Sequence, residues 1–341
     1  MTVAPAHHTP KFLNDPARVV DDYLTGLAAS RPEVLRLDLA DRIVVRADAP
    51  VAGKVGLVSG GGSGCEPLHT GLVGRGMLDA ACPGEVFTSP VPDQIMAAIR
   101  AADGGAGVVA IVKNFSGEVM NFEMAAELCL DEGITVETVI VNDDVAVEDS
   151  PATAGRRGLG ATVLTEKIAG AAAERGADLA SVAATARRVV SRARSYGVGL
   201  SSHIRPTASK PTFVLPAGHI ELGIGISGEP GRRREVMRSA RELAGLLVDE
   251  VLADLKPTPG ARVLSLVNGM GGTPQMELYL LYGEIERRLR EAGLVPTRNL
   301  VGNFVTALEQ AGAALTVLEL DDELVELWDA PVHTTALRWG I

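Results

Sequence analysis

The chain has 341 residues, 46% of them hydrophobic and 22% charged, with a formal net charge of -11. This composition excludes wholesale disorder, and the length exceeds what one hydrophobic core usually fills, so two domains are expected. An acidic chain without a block of Lys and Arg is repelled by nucleic acid and by anionic membrane, which removes both as partners and leaves solubility as the reading of the charge.

The three cysteines, Cys65, Cys82 and Cys129, are an odd number in a long chain, which fits a reducing compartment rather than a disulfide framework. The start MTVAPAHHTP has neither the basic nor the apolar part of a signal peptide, and runs such as residues 108–112 are too short to span a bilayer. The expectation is a cytoplasmic protein with a flexible tail over residues 1–15.

A first helix is expected from Pro16 with Asp15 as its N-cap, because Val19, Val20, Tyr23, Leu24 and Leu27 recur at helical spacing. A short strand over 55–58 then runs into a glycine-rich turn, Gly60-Gly61-Gly62-Ser63-Gly64. Further strands are expected over 108–114, followed by a turn at Ser116-Gly117-Glu118, and over 136–143. Helices are expected over 121–131 and 161–175. Strands alternating with helices predict an α/β fold with a mostly parallel sheet covered by helices. Ligands in such sheets bind beyond the carboxyl ends of the strands, where the glycine turn, the turn after Val112 and the pair Asp143-Asp144 all fall.

A long helix over 179–196 is expected next, with a domain boundary near residue 190. That gives an N-terminal α/β domain over 16–190 and a C-terminal α/β domain over 191–341, with mostly parallel or mixed sheets. The second half reads as an alternating stretch ending in Gly228-Glu229-Pro230-Gly231, a helix over 235–255, a strand from 261, a helix over 275–292 and two closing strands.

The glycine run frees the backbone to approach a ligand closely and to aim N–H groups into one site. It is neither a Walker A loop nor GxGxxG, and residue chemistry alone supports an ordinary strand-to-helix turn as well as a ligand loop. In Asn268-Gly269-Met270-Gly271-Gly272-Thr273-Pro274 a tight turn with Thr273 as helix N-cap is the better reading. Cys65 is expected near a helix N-terminus, where a thiol pKa falls, with His69 one turn away; taken alone it reads as an inert small side chain. His203, His219 and His333 match no metal motif, His7 and His8 sit in the tail, and no metal is assigned. The run Arg232 to Arg234 reads as a solvated helix start.

Several segments in order resemble the K subunit of dihydroxyacetone kinases. They are RADAPVAGKVGLVSGGGSG (46–64), GMLDAACPGEVFTSPVPDQI (76–95), IVKNFSGEVMNFEMA (111–125), VNDDVAVEDSPATAGRRG (141–158), GIGISGEPG (223–231), LVNGMGGTPQMELY (266–279) and DDELVELWDAPVHTTALRWG (321–340). The resemblance implies a two-domain α/β homodimer that binds dihydroxyacetone. It also implies a separate L subunit, which carries ATP or ADP with Mg²⁺, so no cofactor is expected on this chain. It further implies substrate binding at Gly62, Ser63, Gly64, Cys65, Lys113 and Glu118.

The family's acid/base His after GGGSG falls at Cys65, its assisting Asp after KN-x-x-G at Glu118, and the His that forms a hemiaminal with the ketone at Ser227. Glu118 keeps the carboxylate with one more methylene. Cys65 lacks a base that titrates near neutrality, and general acid–base help is worth ~10²–10⁴ in rate. Ser227 lacks the nitrogen nucleophile. The resemblance therefore implies a phosphotransferase subunit presenting a small hydroxylated ketone or polyol, with an atypical site and weak activity or an altered substrate. The alternative is a catalytically inactive ligand-sensing or regulatory protein, and a third reading makes Cys65 a new nucleophile.

Overall fold

The computed structural model describes residues 10–147, 153–229 and 231–341. Most of the tail expected over 1–15, including His7 and His8, therefore lies outside the described residues, as does Pro230.

Asp15 accepts the Ala17 N–H at 2.9 Å and caps a short 3₁₀ turn that leads into α1 (Val19–Ser30). The chain continues through β1 (Leu35–Asp38), β2 (Ile43–Arg46), β3 (Gly56–Ser63), β4 (Gly74–Arg75) and β5 (Ala80–Val86). Next come α2 (Pro92–Ala102), β6 (Val108–Lys113), α3 (Ser116–Asp131) and β7 (Val136–Val141). Six of these strands form one sheet in the order β1-β2-β5-β3-β6-β7, parallel from β5 to β7. Every residue of β6 is buried, including the terminal Lys113, and its apolar run 108–112 is covered on both faces. On one face α2 and α3 set Ile95, Ile99 and Phe122 against Val108, Ala110 and Val112. On the other, α4 (Ala161–Glu174) and α5 (Leu179–Ser191) pack near Val109 and Ile111.

Two turns of the sequence reading are regular structure. The glycine run continues β3, with Gly60 opposite Cys82 and Gly62 opposite Gly84 of β5. Glycine serves close packing there: a Cβ on Gly61 would lie 2.3 Å from the Lys113 ammonium. Ser116-Gly117-Glu118 is the first turn of α3 rather than a turn before it.

The helix expected to reach 196 stops at Ser191, because residues of β8 (Ala193–Gly199) pair with a later strand. After β8 come β9 (His219–Leu222), β10 (Arg233–Val236), α6 (Ala240–Leu255) and β11 (Arg262–Gly269). The chain then forms α7 (Gln275–Glu291), β12 (Val295–Gly302), β13 (Gly312–Leu320), α8 (Asp322–Asp329), β14 (Val332–Thr334) and β15 (Arg338–Trp339). The second sheet, ordered β10-β9-β8-β13-β11-β12, is mixed: β11 and β12 run parallel and the other pairs antiparallel. Arg233 and Arg234 sit in edge strand β10 and not at a helix start, and α6 begins instead at a capping box between Ser239 and Glu242. Nor does Thr273 cap α7. Its hydroxyl donates to the Gly312 carbonyl at 2.6 Å and accepts the Gly312 N–H at 2.8 Å, locking two loops together.

A small third sheet, β15-β14-β4, joins the end of the chain to the first half. The two halves share a core: Leu57 and Val109 belong to one apolar cluster with Leu264, Leu318 and Trp328. Asp143 and Asp144, beyond β7, are wholly buried and tie the halves rather than face a ligand. Asp143 accepts N–H bonds from Leu159 at 2.7 Å and Ala161 at 2.9 Å and takes the Ser195 hydroxyl, and Asp144 pairs with Arg157 at 2.5 Å.

Candidate functional site

The carboxyl ends of β3, β5 and β6 open into a cavity of about 440 Å³, roofed by the loop that follows β9. Its lining includes Gly62, Cys65, Lys113, Glu118 and Ser227, residues from three separate segments of the sequence. Ser63 and Gly64 border a neighbouring cavity of about 250 Å³ instead, beside Tyr23 and Glu66.

Each polar group is held by identifiable contacts. Lys113 ends β6, only 2% exposed, and its Nζ lies 3.1 Å from Glu118 Oε2 on the first turn of α3. Burial pushes the Glu118 carboxyl up, against the Lys113 ammonium and the Gly62 N–H, which favour its charged form. Lys113 Nζ also stands 2.9 Å from His69 Nε2. Burial first, and Lys113 second, hold the His69 imidazole well below its usual pKa, so it is neutral. Across the cavity the Ser227 N–H donates to Glu229 Oε2 at 3.0 Å, which fixes the loop.

Cys65 is not at a helix start. It follows β3 in an irregular segment clamped by the second half, where Thr306 N–H donates to the Cys65 carbonyl at 3.1 Å and Leu308 N–H to the Gly64 carbonyl at 2.8 Å. Only 4% of Cys65 is exposed, and burial pushes its thiol up, so the expected low pKa is absent. His69 does not share a helix with it and turns to Lys113.

Sequence reasoning missed Phe87, Ser89, Phe115 and Glu229 as cavity walls. Glu229 carried a signal in the GEPG stretch next to Ser227. Phe87 carried none: it holds a left-handed φ of 54° and packs its ring 4.8 Å from that of His203. The three cysteines are free and buried. Among the described residues no group of three or more His, Cys, Asp or Glu side chains is placed to hold a metal ion, and no helix is long and apolar enough to cross a membrane.

The Dak1 domain model matches residues 25–336. The chain belongs to the Dak1 family. Similar proteins include the dihydroxyacetone-binding subunit DhaK of the PEP-dependent dihydroxyacetone kinase of Escherichia coli, 46% identical over an alignment that covers 97% of this chain and 99% of that one. The corresponding subunit of PTS-dependent dihydroxyacetone kinase 1 of Listeria innocua is 49% identical, with 96% and 99% covered. Among solved structures, the dihydroxyacetone kinase operon co-activator Dha-DhaQ superimposes with a TM-score of 0.86 at 33% identity, over 92% of this chain and 96% of that one. The mixed α/β architecture expected of a dihydroxyacetone kinase K subunit is therefore the fold of this Dak1-family chain.

Proposed function

We propose that this protein is a cytoplasmic, homodimeric K-type subunit that binds a small hydroxylated ketone or polyol and presents it to a nucleotide-bearing L-type partner for phosphorylation. The observation that carries this reading is the meeting of Gly62, Lys113 and Glu118 with positions 65 and 227 in one polar cavity of about 440 Å³, ample for a three- or four-carbon ligand. The relatives named as dihydroxyacetone-binding subunits support it. Phosphoryl transfer depends on positioning and charge neutralisation more than on covalent help from the acceptor site. Lys113 offers N–H donors to a substrate oxygen, and Glu118 is the carboxylate within reach of a hydroxyl proton. With Ser227 in the roof, the ligand is held by hydrogen bonds and not by a hemiaminal.

The test is a coupled assay with an L-type subunit, Mg²⁺ and ATP, and with phosphoenolpyruvate and its phosphotransfer proteins as the other donor, offering dihydroxyacetone and four-carbon ketoses. Turnover of one of these, absent when either subunit is omitted, is expected. Calorimetry with Mg-ATP and this chain alone is expected to give no binding, and micromolar affinity contradicts the division of labour.

A second reading is a ligand-sensing regulatory protein. It is favoured by Cys65 and Ser227 standing at the histidine positions and by the likeness to an operon co-activator. Ketose binding without turnover, together with a ligand-dependent complex with a transcription regulator, is the result that selects it.

A further inference from the structure

Behind the cavity lies a buried pair that the reading above does not use. Glu166 projects from a stretch of α4 in which residues 161–173 are all buried. Its Oε1 is 2.6 Å from His69 Nδ1, and His69 Nε2 is 2.9 Å from Lys113 Nζ. Lys113 in turn reaches Glu118, so four ionisable side chains from four separate segments form one line from the core to the cavity wall. The proton positions follow from chemistry. An ammonium has three donors and no acceptor, so Nε2 must carry the lone pair. Nδ1 then carries the hydrogen and donates it to Glu166. A carboxyl among core aliphatics is costly unless it does something there, and Glu166 Oε2 is buried without a hydrogen-bond partner.

We propose that His69, with its tautomer and ring orientation fixed by Glu166, is a positioning residue that clamps the Lys113 ammonium against the cavity wall. Lys113 has four rotatable side-chain bonds, and an ion pair to Glu118 alone leaves it a range of poses. The acceptor at Nε2 adds a second fixed direction and leaves the third N–H for a substrate oxygen. The arrangement parallels a metal-bound imidazole oriented by a carboxylate, with an ammonium in place of the metal. The clamp is read from geometry alone, while its effect on substrate rests on the proposed presenting role.

The experiment separates the two. In ¹⁵N-lysine-labelled protein, assigned with a Lys113→Arg control, the Lys113 NH₃⁺ resonance is expected to be visible, since it is shielded from solvent exchange. His69→Gln keeps an acceptor near the Nε2 position and is expected to retain the resonance and to bind dihydroxyacetone within about threefold of the parent. His69→Leu keeps bulk without an acceptor. It is expected to lose the resonance and weaken binding by about tenfold or more. If His69→Leu does not fold, Glu166→Leu replaces it with the same expectation, because an unanchored ring loses its orientation. An unchanged Lys113 resonance in His69→Leu or Glu166→Leu overturns the clamp. Loss of the resonance in a protein that binds no ketose upholds the clamp and rejects the presenting role.

Discussion

The Cys65 thiol lies 3.8 Å from the carbonyl oxygen of Ile226, so Cys65 and Ser227 are brought together across one cavity. If these are the two histidine positions that the family resemblance implies, a Cys65→His, Ser227→His double variant is expected to raise dihydroxyacetone phosphorylation by ~10²-fold or more, the scale of general acid–base help. Either single change is expected to give less than a tenth of that gain, because base and nucleophile act as a unit. Steady-state rates with an L-type partner measure this. Equal activity in parent and double variant would show that the two positions do not hold these roles.

All three thiols are expected to be slow in the native state. Burial pushes each of Cys65, Cys82 and Cys129 up, and the thiolate is the reactive form. Iodoacetamide at neutral pH followed by mass spectrometry should label none of them readily, and all three in denaturant. Fast, selective labelling of Cys65 would revive the reading of a new nucleophile.

Lys167, buried on α4, donates to the Leu327 carbonyl at 2.8 Å and sits 5.5 Å from the centre of the Trp339 ring. Burial, helped by Arg175 and opposed by Asp329, pulls its ammonium from 10.5 down to about 7. Between about 7 and 10.5 the unfolded chain holds the proton that the folded one has released, so this group makes stability rise with pH across that window and fall as pH drops toward 7. Lys167→Met is expected to remove that rise. Melting curves of parent and variant should converge as pH goes from about 7 to 9, and parallel curves would contradict the assignment.

Asp143→Ala is expected to destabilise the whole chain rather than the cavity. It strands the Leu159 and Ala161 N–H groups in the interior, at about 1–3 kcal/mol for each unpaired donor. Denaturant midpoints measure the loss. Asp143→Asn keeps one acceptor and is expected to fall between variant and parent, and a neutral Asp143→Ala would refute the structural role.

The first sheet was legible through its strand patterns: residues 108–113, an apolar run ending in Lys113, and residues 136–141 at the sheet edge fall within the strands expected over 108–114 and 136–143. The glycine run misled because freedom of the backbone reads as a turn, and nothing local reveals that Cys82 and Lys113 press on it from either side. Cys65, Glu118 and Ser227 line one cavity, and in the sequence only the family motifs link them, since 162 positions separate the first from the last. The Cys65 environment was not legible. A thiol after a glycine looks like a helix start until Thr306 and Leu308 are seen to bind its segment from the far half of the chain. His69 and Glu166 are 97 positions apart, and their contact depends on α4 packing beneath the sheet.

The pairing of β4 with β14 sets an order of events during synthesis. Domains on the ribosome usually fold from the amino end as they emerge. Here Gly74 and Arg75 find their strand partners only at His333 and Thr334, so the first half of the chain leaves the exit tunnel with β4 unpaired. Leu57 and Val109 likewise wait for Leu318 and Trp328 to complete their cluster. Residues 1–190 released alone are therefore expected to be a chaperone client, and the nascent chain to become protease-resistant only after residue 334 has cleared the tunnel.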